Sequence, residues 1–69
     1  MSKELPAIAK NIKKHRGRLG ISQSKLSRLA SVTMYTIIKI ESGATSDPRI
    51  ETLKKLAHGL GVKVDDLIR

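Results

Sequence analysis

The sequence predicts an all-α fold, a compact bundle of five helices, and three observations carry that prediction. The chain has 69 residues, room for a single domain spanning 1–69, and a domain of this size buries only about 60% of the surface its unfolded chain exposes. Its apolar content is aliphatic and Tyr35 is the lone aromatic residue, so the core must form from leucine, isoleucine, valine and alanine packed between helices. Apolar residues recur at three- and four-residue spacings, and no stretch alternates with the period of two that marks a half-buried strand.

Taken in order, helix 1 is expected from about residue 6 to 19. Pro6 suits a first helical turn, where its missing N–H is no loss, and Ile8, Ile12 and Leu19 recur on one face. Gly20 is placed to end the helix in the left-handed conformation. Ser22 offers an oxygen to the free N–H groups of a second helix, Gln23 to Ala30, whose buried stripe is Leu26, Leu29 and Ala30. Thr33 caps a third helix, Met34 to about Glu41, with Ile37 and Ile40 inward and Gly43 as the stop. The next segment, 42–47, has no apolar residue larger than alanine and reads as a loop. Asp47-Pro48 then supplies an N-cap followed by proline at the first helical position. Helix 4 carries Ile50, Leu53, Leu56, Ala57 and Leu60 on its inner face and ends at Gly61; Val64, Leu67 and Ile68 mark a short helix 5. Gly17 and Gly59 replace better helix formers inside helices 1 and 4, each at an expected cost of about 1 kcal/mol.

The net charge is +8, and its distribution says more than its size. No acidic residue lies between Glu4 and Glu41, yet that interval holds Lys10, Lys13, Lys14, Arg16, Arg18, Lys25, Arg28 and Lys39. Outside it, Lys3, Arg49, Lys54, Lys55, Lys63 and Arg69 balance the acids. A solvated surface has no need to exclude acids, so the asymmetry points to a polyanion such as nucleic acid.

Several function classes find no support. The chain has no cysteine, hence no disulfide framework and no thiolate metal site, and a small domain without such staples is expected in the cytoplasm. Apolar runs are short and Met1-Ser2-Lys3-Glu4 lacks the apolar stretch of a leader, so neither a membrane span nor a signal peptide is expected. His15 and His58 stand far apart without partners at ligand spacing and read as helix-surface residues, so no metal or other cofactor is expected. Gly17-Arg18-Leu19-Gly20 matches the loop of KH domains, but that fold needs strands beside the loop. No nucleophile elbow, phosphate loop or metal motif supports an enzyme.

Two short helices joined by about three residues, the second polar on part of its outer face, form the outline of a helix-turn-helix. The segment from Gln23 to Gly43, QSKLSRLASVTMYTIIKIESG, resembles that motif in the lambda-repressor-like, Cro and XRE family, with the motif itself at about 23–42. Gly20-Ile21-Ser22-Gln23 is similar to the family's entry into helix 2, and Leu53-Lys54-Lys55-Leu56-Ala57 through Leu60-Gly61-Val62 and Asp66-Leu67 resemble its helices 4 and 5. Two departures stand out: Ser27 replaces the usual alanine, and Ser31 replaces the glycine of the turn, at about 1 kcal/mol if φ is positive there.

The resemblance implies sequence-specific binding of double-stranded DNA by a repressor-type transcriptional regulator, with helix 3 in the major groove. It implies phosphate contacts from Ser22, Gln23, Arg16, Ser42 and Arg49, and an ion pair between Arg16 and Glu41 that positions helix 3. It also implies homodimers on a palindromic operator, with Val64, Leu67 and Ile68 nearest the dimer contact, in the cytoplasm at the nucleoid. Thr33, Met34, Tyr35, Thr36, Ile38 and Lys39 become the residues that read bases, Met34, Tyr35 and Ile38 meeting thymine methyls, Thr36 and Lys39 supplying polar contacts, and Lys39 able to donate to guanine. The competing reading is an antitoxin or adaptor module whose apolar stripe on helix 3 binds a toxin or another protein. The acid-free interval favours DNA.

Overall fold

The computed structural model describes residues 5–69; residues 1–4, and the leader reading made on them, lie outside the described residues. Five helices follow one another: α1 (Ala7–Leu19), α2 (Gln23–Ala30), α3 (Met34–Glu41), α4 (Ile50–Leu60) and α5 (Val64–Ile68). No strand occurs among the described residues.

Local chemistry sets most of the boundaries. Ser22 Oγ accepts the Lys25 N–H at 3.0 Å and Thr33 Oγ1 accepts the Thr36 N–H at 3.2 Å, so α2 and α3 each open on a side-chain cap. Gly20 ends α1 at φ 65° and Gly61 ends α4 at φ 70°. At the end of α2 the same left-handed turn falls to Ser31, at φ 56°, where a side chain costs about 1 kcal/mol. Asp66 closes the start of α5 by accepting the Lys63 N–H at 3.0 Å.

The start of α4 departs from the expectation. Asp47 is not its cap and Pro48 is not its first residue; Arg49 stays extended at φ −64°, ψ 152°, and the helix begins at Ile50. Proline fixes only φ, at a value shared by helical and extended backbone, so Pro48 is equally at home in the extended approach taken here.

Every helix contributes at least one fully buried side chain to a common core: Ile12, Leu26, Ile37, Ile40, Leu56 and Leu67. Burying such a side chain stabilises the fold by about 1.5–3 kcal/mol. Three expected core residues are instead exposed. Leu19 lies in the last turn of α1; Leu29 flanks the buried pair Leu26 and Ala30 on α2; Ile50 is the first residue of α4.

Packing between α2 and α4 explains Gly59, which is no mere cost. A Cβ there would lie 2.9 Å from the Ala30 Cβ and 3.0 Å from the Ala30 Cα and N, so the two backbones meet too closely for any side chain at 59. At the other end of the molecule Asn11 Nδ2 donates to the Leu67 carbonyl at 2.8 Å, tying α1 to α5.

Candidate nucleic-acid interface

The interface is organised by one buried carboxylate. Glu41, at the end of α3, is 3% exposed, and an ionised group so placed is tolerated only when fully paired. Arg16 reaches it from α1 with both arms, Nε donating to Oε2 at 2.9 Å and Nη2 to Oε1 at 3.0 Å. Gln23, the first residue of α2, donates from Nε2 to Oε1 at 3.0 Å. The third guanidinium nitrogen, Nη1, donates to the Ile21 carbonyl at 3.0 Å. The hydrogen bonds with Glu41, outweighing burial, hold the Arg16 guanidinium above its ordinary pKa. One carboxylate thus fixes α1, the α1–α2 turn and α2 against the end of α3, which sets the angle at which α3 leaves the surface.

The sequence anticipates the Arg16–Glu41 pair, but not the part of Gln23 or of the Ile21 carbonyl in it. Neither is legible in a linear pattern, because a glutamine amide and a backbone carbonyl have no sequence signature.

On α3 the two faces separate as the spacing requires. Ile37 and Ile40 are fully buried, while Met34, Tyr35 and Ile38 are 45%, 68% and 40% exposed. The Lys39 ammonium lies 5.3 Å from the centre of the Tyr35 ring, within cation–π range, so two polar-tipped side chains on the outer face share one orientation. Thr33 and Thr36 pair through their hydroxyls at 2.9 Å. Beside this face a groove of about 370 Å³ opens between α3 and the start of α4, with Tyr35, Lys39, Thr45, Arg49 and Thr52 on its walls. Thr45 and Thr52 join the site only through the fold: the Thr45 N–H donates to the Lys39 carbonyl at 3.0 Å and brings the loop against α3.

The expected phosphate-contacting residues differ in what they can still donate. Ser22 spends a lone pair on its cap and keeps its O–H. Gln23 keeps one N–H after bonding Glu41. Arg49 is exposed at the N-terminus of α4 and has no ion pair or side-chain hydrogen bond among the described residues. Ser42, by contrast, donates its proton to the Lys39 carbonyl at 3.1 Å and accepts the Ala44 N–H at 3.3 Å. A phosphate offers only acceptors, so the geometry assigns Ser42 to the turn. Arg16 uses one N–H of each of its three nitrogens and keeps one on Nη1 and one on Nη2.

Comparison with known proteins agrees with this arrangement, for the helix-turn-helix family model matches residues 12–67, nearly the whole described chain. The chain belongs to the lambda-repressor-like helix-turn-helix family. An uncharacterized HTH-type transcriptional regulator of Haemophilus influenzae is 44% identical over 55 residues, 80% of this chain and 55% of that protein. The chain therefore spans about half the length of that relative. No solved structure matches the chain. In this helix-turn-helix chain α2 and α3 form the motif, and the Arg16–Glu41–Gln23 cluster braces it from behind.

Other expected residues fall as follows. Leu67 is fully buried, which removes it from any contact with a second copy, because a side chain already inside the core has no surface to offer. Ile68 is 51% exposed and Val64 half-buried. His58 is exposed and His15 half-buried, and no cluster of possible metal ligands occurs among the described residues. No helix is long and apolar enough to cross a membrane among the described residues.

Proposed function

We propose that the chain binds double-stranded DNA in a sequence-specific way and acts as a repressor-type transcriptional regulator, with α3 entering the major groove. The observation that carries this reading is the outer face of α3: Met34, Tyr35, Ile38 and Lys39 project from a capped helix whose angle is fixed by the buried Glu41 cluster. Its first turn, Thr33 to Thr36, meets base edges most closely, and Lys39 donates to guanine O6 and N7. Ser22, Gln23 and Arg49 grip phosphates on either side, where the free N–H groups of two helix N-termini add to the attraction. Family membership and the name of the Haemophilus relative support the same reading.

One domain of this size reads a few base pairs, so two copies are expected on half-sites about one helical turn apart. Ile68, with the groove that it forms with Pro6, Pro48 and Leu53 and with the polar Ser46 and Asp47, supplies the contact between copies. Sedimentation on DNA carrying a palindromic site measures this, and a protein that stays strictly monomeric there overturns it.

A second reading has one observation in its favour, the exposure of Met34, Tyr35 and Ile38, which a toxin or other protein partner would cover. Binding-site selection on the wild type and three variants decides between them. Tyr35→Ala and Lys39→Ala keep the fold and lose about 1–3 kcal/mol of discrimination between sequences, whereas Arg49→Ala weakens all sequences about equally. An unchanged selected sequence in Tyr35→Ala and Lys39→Ala means that α3 does not read bases.

A further inference from the structure

The solvent face of α1 is cationic along its length. Turned away from Ile8 and Ile12, it presents Lys10, Lys13, Lys14, Gly17 and Arg18, all exposed, and no acidic side chain. Neighbours three and four apart on a helix repel when they carry the same sign, by about 0.2–0.5 kcal/mol a pair. A face kept only for hydration would intersperse glutamate and gain stability instead. The helix dipole accounts for a cation in the last turn, where Arg18 lies, but not for Lys13 and Lys14 in the middle. Nor do Lys13, Lys14 and Arg18 have an ion pair among the described residues; Glu41, on the packed side, is buried and already holds Arg16 and Gln23.

This face is not part of the α3 surface. α1 packs on α3, and it does so with the side that carries Ile12 and Arg16, while α3 turns toward it the side that carries Ile37, Ile40 and Glu41. Each helix shows the solvent a side other than the one by which the two pack together, so the Lys13, Lys14 and Arg18 face and the outer face of α3 are separate surfaces.

We infer that the α1 face binds the phosphate backbone of a second DNA duplex, so that one protein unit holds two duplex segments together. A duplex carries a charge about every 1.7 Å of its axis, and Lys13 to Arg18 spans about 8 Å of straight helix at 1.5 Å per residue, a rod of charge that fits along one backbone. The face has no aromatic residue on which unpaired bases could stack. It also has no large apolar residue to insert into a lipid surface, since Ile8 and Ile12 are in the core and the exposed Leu19 lies on their side of the helix. Both absences favour duplex over single strands or membrane. The inference rests on the proposed DNA reading only for the first duplex.

Retention of a fluorescent 30-base-pair duplex on beads bearing an unlabelled duplex tests it, with the amount of protein on the beads measured separately. The wild type retains the labelled duplex. The triple variant Lys13→Gln, Lys14→Gln, Arg18→Gln binds the bead duplex with affinity within about threefold of wild type, while retention of the second duplex falls about tenfold or more. The charge-preserving Lys13→Arg, Lys14→Arg variant bridges as the wild type does, and circular dichroism verifies that each variant is folded. Bridging that persists in the triple variant overturns the inference, and so does its loss of the bead duplex, which would put α1 in the first interface. Wild type that coats the beads but retains no labelled duplex overturns it and leaves the α3 reading intact; wild type that binds neither duplex overturns both. Capture by phosphatidylserine vesicles without retention of a second duplex also overturns it.

Discussion

Two glycines in helix interiors look alike in the sequence and differ in their surroundings. A Cβ at Gly17 meets nothing within 4 Å, whereas one at Gly59 meets the backbone of Ala30 at 3.0 Å. Gly17→Ala should therefore raise stability by about 0.5–1 kcal/mol, the helix-propensity gain alone. Gly59→Ala should lower it by about 1–3 kcal/mol, because α2 and α4 must move apart to admit the methyl group. Urea denaturation of the two variants reads both signs, and a stabilising Gly59→Ala would show that the close approach is not needed. Ser31 is the third residue whose role is a matter of backbone: at φ 56°, Ser31→Gly removes the penalty on the side chain, so its unfolding midpoint should rise, by at most about 1 kcal/mol since glycine also loosens the unfolded chain.

At the scale of elements, the boundaries legible in the sequence are those set by neighbours in the chain. Ser22, Thr33, Gly20, Gly43 and Gly61 act on the helix beside them, and each stands where its chemistry places it. What escapes a linear reading is whatever depends on a distant element. Spacing puts Leu19 and Leu29 near an apolar face but does not say whether another helix covers them, and Gly59 is explained only by Ala30, which lies on another helix. The Arg16–Glu41 pair was legible through resemblance, its two further partners were not. Removing Arg16 leaves a buried carboxylate without its main partner, so Arg16→Ala should cost about 3–5 kcal/mol. The sign of the pH dependence follows from the pKa. Because the Arg16 value in the fold is raised, its contribution is fully present below the unfolded value and is lost only as pH rises through the folded one, beyond the range of ordinary measurement. Arg16→Lys brings that loss into reach, near the lysine value of about 10.4 and above it. The stability gap between wild type and Arg16→Lys should thus widen between pH 7 and pH 11, and a gap that stays constant would mean that the cation at 16 does not stabilise Glu41.

For the whole molecule the division of charge has a measurable consequence. If α3, α2 and the start of α4 together neutralise about five phosphates, log K should fall with log salt at a slope of roughly −4 to −5. Duplex titration at several salt concentrations measures it, and affinity indifferent to salt would favour the protein-binding reading. On the proposed two-duplex arrangement, the Lys13, Lys14 and Arg18 substitutions should leave this slope unaltered, since it assigns those side chains to the second duplex. The hydrogen bond from Asn11 to the Leu67 carbonyl at 2.8 Å bears on connectivity. It holds the last helix against the first, and Ile68 lies beside Pro6 and Ala7, so the two ends of the described chain are near neighbours in space. The order in which the helices are strung is then separable from the way they pack. A circular permutant that joins Arg69 to residue 5 through a short flexible linker and opens between Ser46 and Asp47, in the exposed loop before α4, runs α4–α5–α1–α2–α3 and keeps every packing contact. Its backbone would end just beyond α3, the element proposed to read DNA, and would leave that helix tethered from one side only.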